Sequence, residues 1–532
     1  MSQYPVLHQW LAKSVRSMKM THSSSVEKWL EELRPMTECE CMSILQGKSI
    51  KHNAEKASSS SASSYLSYTA EDSIHAVQSR AEIIHSEFKK LYSRIDKERW
   101  KQVGPGSLRI ATHIRSLLHE CNSNIPNPPA VFTEQQQYVM EECARLVQYV
   151  ETNSDILNNN DVHRAMLREG LTTLSQAFSV LVDMAMGCLI QILLNNVLDF
   201  EEPEGVKEAL GNLIALGLEG EQMCHIITRE GGVETLLELC KNEELGSLRG
   251  KSLRALATLC CTSDSIQELE NNGGIEILAE VLCSSDITES VRSEAAGVVA
   301  QMTSPNTENY EHGIGFLENM EDLVKSLTVL CIEASSHEVF LLGSAALANI
   351  TFTDTLACDF LLQYSTAQHL IHAVQLNKAD SLFAKDQVAT ILANMASSES
   401  CWLEITENNG VETLLQFLQE QPYCYQNEAE ISACERVQQK AAIALTRLSR
   451  DRDCAEIIVE LQGIHRLVQI CREPKERNSS DGILVACLAA LRKIYSVSCD
   501  IEDLSDLDVE ELIQPKLLDS FLLCSQSDEC FV

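Results

Sequence analysis

Aromatic side chains are scarce in this 532-residue chain: Phe, Trp and Tyr supply 5% of it, against a hydrophobic share of 45%. A large core can be built, but only from Leu, Ile, Val, Ala and Met, a composition suited to helices packed on helices. Basic residues are also in short supply. Lys and Arg number 42 against 77 Asp and Glu, a formal charge of −35. Such a polyanion repels phosphate backbones and anionic lipid, which disfavours nucleic-acid binding and membrane insertion and favours partners with basic grooves. The same charge can also serve only to keep a large chain in solution. No apolar run reaches the length of a bilayer span: the most apolar stretch, Ser179 to Leu194, contains Asp183 and Gln191. A secretory signal is absent too. The first twenty residues have no acid and carry Lys13, Arg16 and Lys19 beside Val6, Leu7, Trp10, Leu11 and Val15. That pattern fits either a mitochondrial presequence or a loosely structured leader. Of 21 cysteines none forms a C-x-x-C pair; they stand singly in apolar stretches, as at Cys240, Cys283 and Cys331. Buried, reduced thiols of a cytosolic protein are the expectation.

Catalytic constellations are missing as well. Gly246 to Ser252 is one spacer residue short of a phosphate loop and follows no evident strand, so it reads as a turn opening a helix. His337-Glu338 lacks the second histidine of a zinc-protease helix, and Gly313-Ile314-Gly315 stops short of a dinucleotide fingerprint. The chain is expected to be a non-enzyme without cofactor or metal.

What is present is organised in blocks. Residues 1–22 are the leader, and 23–47 hold a short helix with an acidic extended segment. Residues 48–70 contain the serine run 58–61 and 63–64, which cannot bury enough surface to offset backbone ordering and is expected to be a flexible linker. Residues 71–200 show helical spacing (Ile74, Val77, Ile83, Ile84, Phe88, Leu91, Ile95), with a break expected at Gly104-Pro105-Gly106 and another at 122–129. They either begin the repeats that follow or form a bundle of their own.

From 201 to 524 a motif of the form Leu-small-polar-apolar recurs at Leu210, Leu256, Val299, Leu347, Leu392, Leu445 and Leu491. The intervals are 46, 43, 48, 45, 53 and 46 residues, against about 40–47 for armadillo and HEAT repeats, the longest containing a loop insertion at 421–427. In register with it, Gly231-Gly232-Val233, Gly273-Gly274-Ile275, Gly410-Val411 and Gly463-Ile464 each precede an amphipathic helix. Glycine there is expected to supply a left-handed or tight turn. The fold class is therefore all-α: an armadillo-like helical-repeat solenoid with a flexible N-terminal peptide segment and a short C-terminal tail.

The third position of the motif is polar in all seven repeats: Asn212, Thr258, Gln301, Asn349, Asn394, Arg447 and Lys493. If these line a groove, the amides can pair with the main chain of an extended peptide, and Arg447 and Lys493 would suit an acidic one. Alternatively, each simply faces solvent or bonds a neighbouring loop. A transport receptor of the importin type uses such grooves, but this repeat lacks the tryptophans that would partner the asparagines. It also lacks a basic arm for docking on a carrier.

Both ends look like linear ligands. Val26, Trp29, Leu30 and Leu33 share one helical stripe behind the N-cap serines 23–25, and Pro35 stops the helix. Met36-Thr37-Glu38-Cys39-Glu40-Cys41-Met42 then alternates carboxylate and sulfur. A short apolar helix followed by an acidic strand suits a basic helical-repeat groove, although the helix could also fold back on its own chain. Cys39 and Cys41 lack the second pair that a metal site needs. At the other end Glu529-Cys530-Phe531-Val532 presents an apolar terminus to a PDZ domain, with Cys530 where a hydroxyl would strengthen the match.

The run Val26 to Leu33 with Met36 to Met42 closely resembles the N-terminal partner-binding segment of Inscuteable proteins. The stretches 338–352, 433–442, 476–481 and 518–532 are similar to the same family. The resemblance implies a cell-polarity adaptor that directs the mitotic spindle in asymmetric division. It would join a Bazooka-type PDZ scaffold and its atypical protein kinase C to a Pins/LGN-type tetratricopeptide protein, in cytoplasm recruited to the apical cortex. By the same resemblance Trp29, Leu30 and Leu33 would anchor in the tetratricopeptide groove, with Val26, Met36 and Met42 alongside, and Glu38 and Glu40 would meet its basic wall. The family tail usually has serine where Cys530 stands.

Overall fold

A computed structural model of the chain describes residues 68–123, 133–153, 161–198, 203–305, 311–353, 356–421, 427–497 and 509–513. Every regular element among the described residues is a helix. They fall into two compact units, divided between Ile277 and Leu278.

The first unit opens with four long helices, α1 (Tyr68–Asp96), α2 (Val103–Ser123), α3 (Glu134–Asn153) and α4 (Asp161–Val197). Each packs on the next and α4 returns to α1, closing a four-helix ring. The apolar stripe read from the sequence is its core: Ile74, Ile84 and Leu91 of α1 are buried with Ile110 and Ile114 of α2, Val139 of α3 and Leu174 of α4. Phe88 and Phe178 meet there at 6.0 Å between ring centroids. At 37 residues α4 outruns the ring, and it also packs on α5 (Pro203–Gly217) and α6 (Glu221–Arg229). Residues 71–200 are thus a bundle whose last helix is also the first wall of the repeats. By length and composition alone α4 could cross a membrane. In the fold it is a core helix, with Leu171, Leu174, Phe178, Ile190 and Leu193 all buried.

Two boundaries differ from the sequence reading. Helix α1 takes in the last three residues of the expected linker, 68–70. The Gly104-Pro105-Gly106 break lies inside the first turn of α2, where a proline needs no amide partner; the chain bends just before it, around Glu98 with φ 55°. Gly106 is there for closeness: a Cβ would lie 3.0 Å from Leu91.

The repeats have three helices each. In the first unit α6, α7 (Gly232–Lys241) and α8 (Arg249–Leu259) make one repeat, followed by α9 (Ser263–Asn271); the division between the units falls within α10 (Gly274–Cys283). In the second unit α11 (Glu289–Met302) is followed by α12 (Ile314–Glu333) and α13 (His337–Thr353). Then come α14 (Leu356–Gln363), α15 (Thr366–Gln375) and α16 (Leu382–Met395), and α17 (Trp402–Glu407), α18 (Gly410–Phe417) and α19 (Glu428–Leu448). The last repeat is α20 (Arg452–Glu460), α21 (Gly463–Arg472) and α22 (Asp481–Val497), with α23 (Val509–Ile513) against α22. One repeat departs from the plan: α12 is a single 20-residue helix where the others have two short ones.

The third helices stack directly on one another, α5 on α8 in the first unit and α11–α13–α16–α19–α22 in the second. Much of each is buried, most completely in α11, α13 and α16. Residues 295–302 of α11 are buried without interruption, and so are 387–395 of α16. Small residues recur in them and are buried: Ala295, Ala296 and Gly297, then Ala345 and Ala346, then Ala441, Ala442 and Ala444. First and second helices, with one outward face, are amphipathic instead.

The landmark glycines act differently from expectation. Left-handed backbone does precede each second helix, but glycine carries it only at Gly231 (φ 91°) and Gly273 (φ 71°); Ser365, Asn409 and Gln462 carry it elsewhere. The recurrent glycine is the residue after, the first of the second helix. A Cβ on Gly410 would stand 2.5 Å from the Ile405 carbonyl oxygen, and Gly232, Gly274 and Gly463 face Ile227, Leu269 and Ile458 in the same way. At these four positions only hydrogen lets the second helix lie against the end of the first, whereas α15 opens on Thr366. Gly410→Ala is therefore expected to destabilise the chain by about 1–3 kcal/mol. Gly211→Ala, whose Cβ would meet only Lys251 Nζ at 3.8 Å, should be neutral or stabilising by up to about 1 kcal/mol; denaturant unfolding of the two variants checks the contrast.

Candidate partner-binding surfaces

The N-terminal ligand residues Val26, Trp29, Leu30, Leu33, Met36, Glu38, Glu40 and Met42, and the tail Glu529, Cys530, Phe531 and Val532, lie outside the described residues. The candidate groove positions are all described. As expected, every one sits on a third helix: Asn212 on α5, Thr258 on α8, Gln301 on α11, Asn349 on α13, Asn394 on α16, Arg447 on α19 and Lys493 on α22.

They are not equivalent. Thr258 and Gln301 are 1% and 2% exposed, so neither presents a group to a ligand; the Thr258 hydroxyl donates to the Arg254 carbonyl of its own helix, 3.0 Å. Asn212, Asn349, Arg447 and Lys493 are half-buried. In the second unit three of the side chains reach back to the preceding third helix. Asn349 Nδ2 donates to the Ala300 carbonyl at 2.7 Å, and Arg447 Nη1 donates to the Ala393 carbonyl at 2.6 Å. Asn394 Nδ2 donates to Thr351 Oγ1 at 2.6 Å. Ala300 and Ala393 hold the same place in their motifs, the residue just before the polar one. In these three repeats the polar position fastens the third helix to its predecessor.

A stronger fastening lies about two turns away. Asp386 of α16 is 1% exposed and accepts from Arg436 Nε at 2.7 Å and Lys440 Nζ at 3.0 Å, both on α19. Burial alone would raise the Asp386 carboxyl, but the two cations outweigh it and hold the group below the usual carboxylate range. Both cations lie on the same helix as Arg447. The signal was available in the sequence: an acid inside the apolar run 384–395, and an Arg and a Lys four residues apart on one helical face.

Second-helix ends are closed by bases from elsewhere. Arg466 of α21 donates to the Leu418 carbonyl at the end of α18, and Arg249 donates to the Cys240 carbonyl at the end of α7. These satisfy carbonyls that a helix terminus leaves open. The cleft beside Trp100 is similarly self-contained: Arg164 stacks on the indole at 4.9 Å and pairs with Glu98 and Asp161, while Arg168 pairs with Asp96. Among the described residues no His, Cys, Asp or Glu cluster could hold a metal. Burial pushes the Cys240 and Cys331 thiols up to about 12, as expected of inert core cysteines.

Comparison with known proteins agrees with this architecture. A family described as the Inscuteable C-terminal region matches residues 80–532, and one described as the Inscuteable LGN-binding domain matches residues 21–60. The human and mouse proteins named Protein inscuteable homolog are each 40% identical over 511 residues, 96% of this chain and 87% of theirs. A crystal structure of an engineered protein is similar in fold, with a TM-score of 0.51 and 20% identity, over 80% of this chain and 93% of that one.

Two measurements follow from the fastening. From sequence alone, replacing Asn349 and Asn394 by alanine would weaken a bound extended peptide and spare stability. With both amides bonded between helices, the double variant is expected to lose about 1–3 kcal/mol in denaturant unfolding, at about 0.5–1.5 per hydrogen bond. Asp386, depressed in the fold, contributes stability that is complete above the unfolded carboxylate value of about 4 and lost as pH falls through its lower folded value. Wild-type stability should therefore fall more steeply with acid below about pH 4 than that of Asp386→Asn, and Asp386→Ala at neutral pH should cost about 3–5 kcal/mol by leaving Arg436 buried without its anion.

Proposed function

The chain belongs to the Inscuteable family, whose members are adaptors and not enzymes, and on that premise we propose that it links cortical polarity proteins to the machinery that orients the mitotic spindle. The observation that carries this reading is the match of residues 21–60 to an LGN-binding domain, on the segment whose chemistry independently suits a basic helical-repeat groove. Trp29, Leu30 and Leu33 are read as the apolar anchor of a short helix, with Val26 on the same stripe. Glu38 and Glu40, between Met36 and Met42, supply charge to the groove wall. A helix of under three turns is marginal alone in water, so this segment orders on its partner and its acids add rate and selectivity.

At the other end, Glu529-Cys530-Phe531-Val532 is read as a strand added to a PDZ domain of a Bazooka-type scaffold that carries an atypical protein kinase C. Val532 would fill the pocket and the terminal carboxylate would be held by backbone amides. The third-helix wall of the second unit supplies a further surface for an extended segment: Asn349 and Asn394 keep their carbonyl oxygens as acceptors, and Lys440, Arg447 and Lys493 favour an acidic ligand. An adaptor of this design is cytoplasmic and reaches the apical cortex through its partners.

One experiment with two arms tests this reading. A peptide of residues 20–50 should capture a tetratricopeptide protein of the LGN type, and Trp29→Ala combined with Glu38→Ala and Glu40→Ala should abolish capture. The full chain should retain a PDZ scaffold that is lost on removing Phe531 and Val532. Capture indifferent to the triple substitution would overturn the N-terminal assignment, and scaffold binding indifferent to the truncation would overturn that of the tail.

A further inference from the structure

We propose that Cys261 and Cys224 form a peroxide-responsive thiol pair that closes to a disulfide across a repeat boundary of the first unit. Their sulfurs already touch, at 3.6 Å, although 37 residues separate them. Cys224 lies in α6, fully buried, with its sulfur also 3.3 Å from the Gly217 carbonyl oxygen. Cys261 follows the end of α8, in the turn that leads to α9, and is half-buried, within reach of a small solute. The neighbouring Cys260 is completely enclosed and points into the core.

The two thiols divide the work of oxidation. When Cys261 ionises, the Cys224 S–H donates to its sulfur, which outweighs the opposing effect of burial and lowers the Cys261 thiol; the same contact and burial raise Cys224. Every other described buried cysteine is pushed upward by burial, as at Cys143, Cys240 and Cys331. Cys261 is therefore the attacking sulfur and Cys224 the resolving one. The Cys261 thiolate attacks one oxygen of hydrogen peroxide; the O–O bond breaks, and hydroxide leaves and takes up the Cys261 proton from solvent as water. The sulfenic acid so formed is attacked by Cys224. Its S–O bond breaks, and the departing hydroxide takes the Cys224 proton as a second water. Two thiols are oxidised and one peroxide is reduced to two waters.

Closure requires the sulfurs to approach by about 1.6 Å, to the bond length of about 2.0 Å. The turn supplies the movement, because Cys261 is outside regular helix, whereas Cys224 is fixed in α6. The bond would pin the first helix of one repeat to the turn that opens the next, beside Thr262, whose side chain caps α9 through the Ser265 amide.

The test uses the full-length reduced protein, treated with hydrogen peroxide, quenched by alkylation and mapped by mass spectrometry without reduction. The expected result is a linked pair of peptides carrying Cys224 and Cys261, lighter by about 2 Da for the two hydrogens lost. It should form before the exposed Cys188 or Cys283 is oxidised, and dithiothreitol should reverse it. In Cys224→Ser, Cys261 should instead be trapped by dimedone as sulfenic acid; in Cys261→Ser, Cys224 should stay reduced. Oxidation of Cys188 or Cys283 ahead of any linked pair would overturn the proposal. So would a Cys261 product unchanged by loss of Cys224.

Discussion

Direct stacking of third helices on one another is the constraint from which the rest of this structure follows. Close packing in such a stack leaves no room for water, and the buried runs 295–302 and 387–395 are rich in small and aliphatic residues. The scarcity of aromatics is one consequence. The need for other ways of holding neighbouring helices in register is a second, because small side chains contribute little area each. Hydrogen bonds from Asn349, Asn394 and Arg447, and the Asp386–Arg436–Lys440 cluster, meet that need. A third is the glycine that opens most second helices, which lets the outer pair fold tightly over the stack.

The same constraint separates the functions of the chain. A stack that consumes its polar positions in fastening repeats has few groups left for chemistry, and recognition passes to surfaces and to linear segments. The N-terminal ligand segment and the C-terminal tail lie outside the stacked helices in sequence, so each can be read without reference to the core. On the wall itself, Asp386 fixes Arg436 and Lys440 in place. If the wall also receives a ligand as proposed, fastening and recognition draw on the same residues, and substitutions there will move stability and binding together.

Much of this was legible in the sequence, for identifiable reasons. The seven-fold motif beginning at Leu210 gave the third helices and their spacing because burial on all sides forces the same pattern each time. Residues 26–42 read as a ligand because amphipathic spacing and paired acids are local signals, and a match to the Inscuteable LGN-binding domain covers the same segment. The role of the glycines was misread at Gly410 and Gly463: sequence shows that glycine recurs, not whether it answers a dihedral angle or a close approach. The fused helix α12 had no punctuation to announce that two helices had become one. The closing of α1 to α4 into a ring, and the contact of Cys224 with Cys261, depend on neighbours far apart in the chain, which no local pattern reports. The polar third position left two readings open, a groove or a residue facing solvent or a neighbouring loop; at Asn349, Asn394 and Arg447 it turns back to the helix before.

Amide hydrogen exchange on the full-length chain tests the primacy of the third-helix stack most directly. If stacking carries the fold, the slowest amides of the second unit lie within 295–302, 345–350, 388–395 and 441–448 and exchange together as one cooperative block. Protection in the first and second helices equal to or greater than in those segments would contradict it.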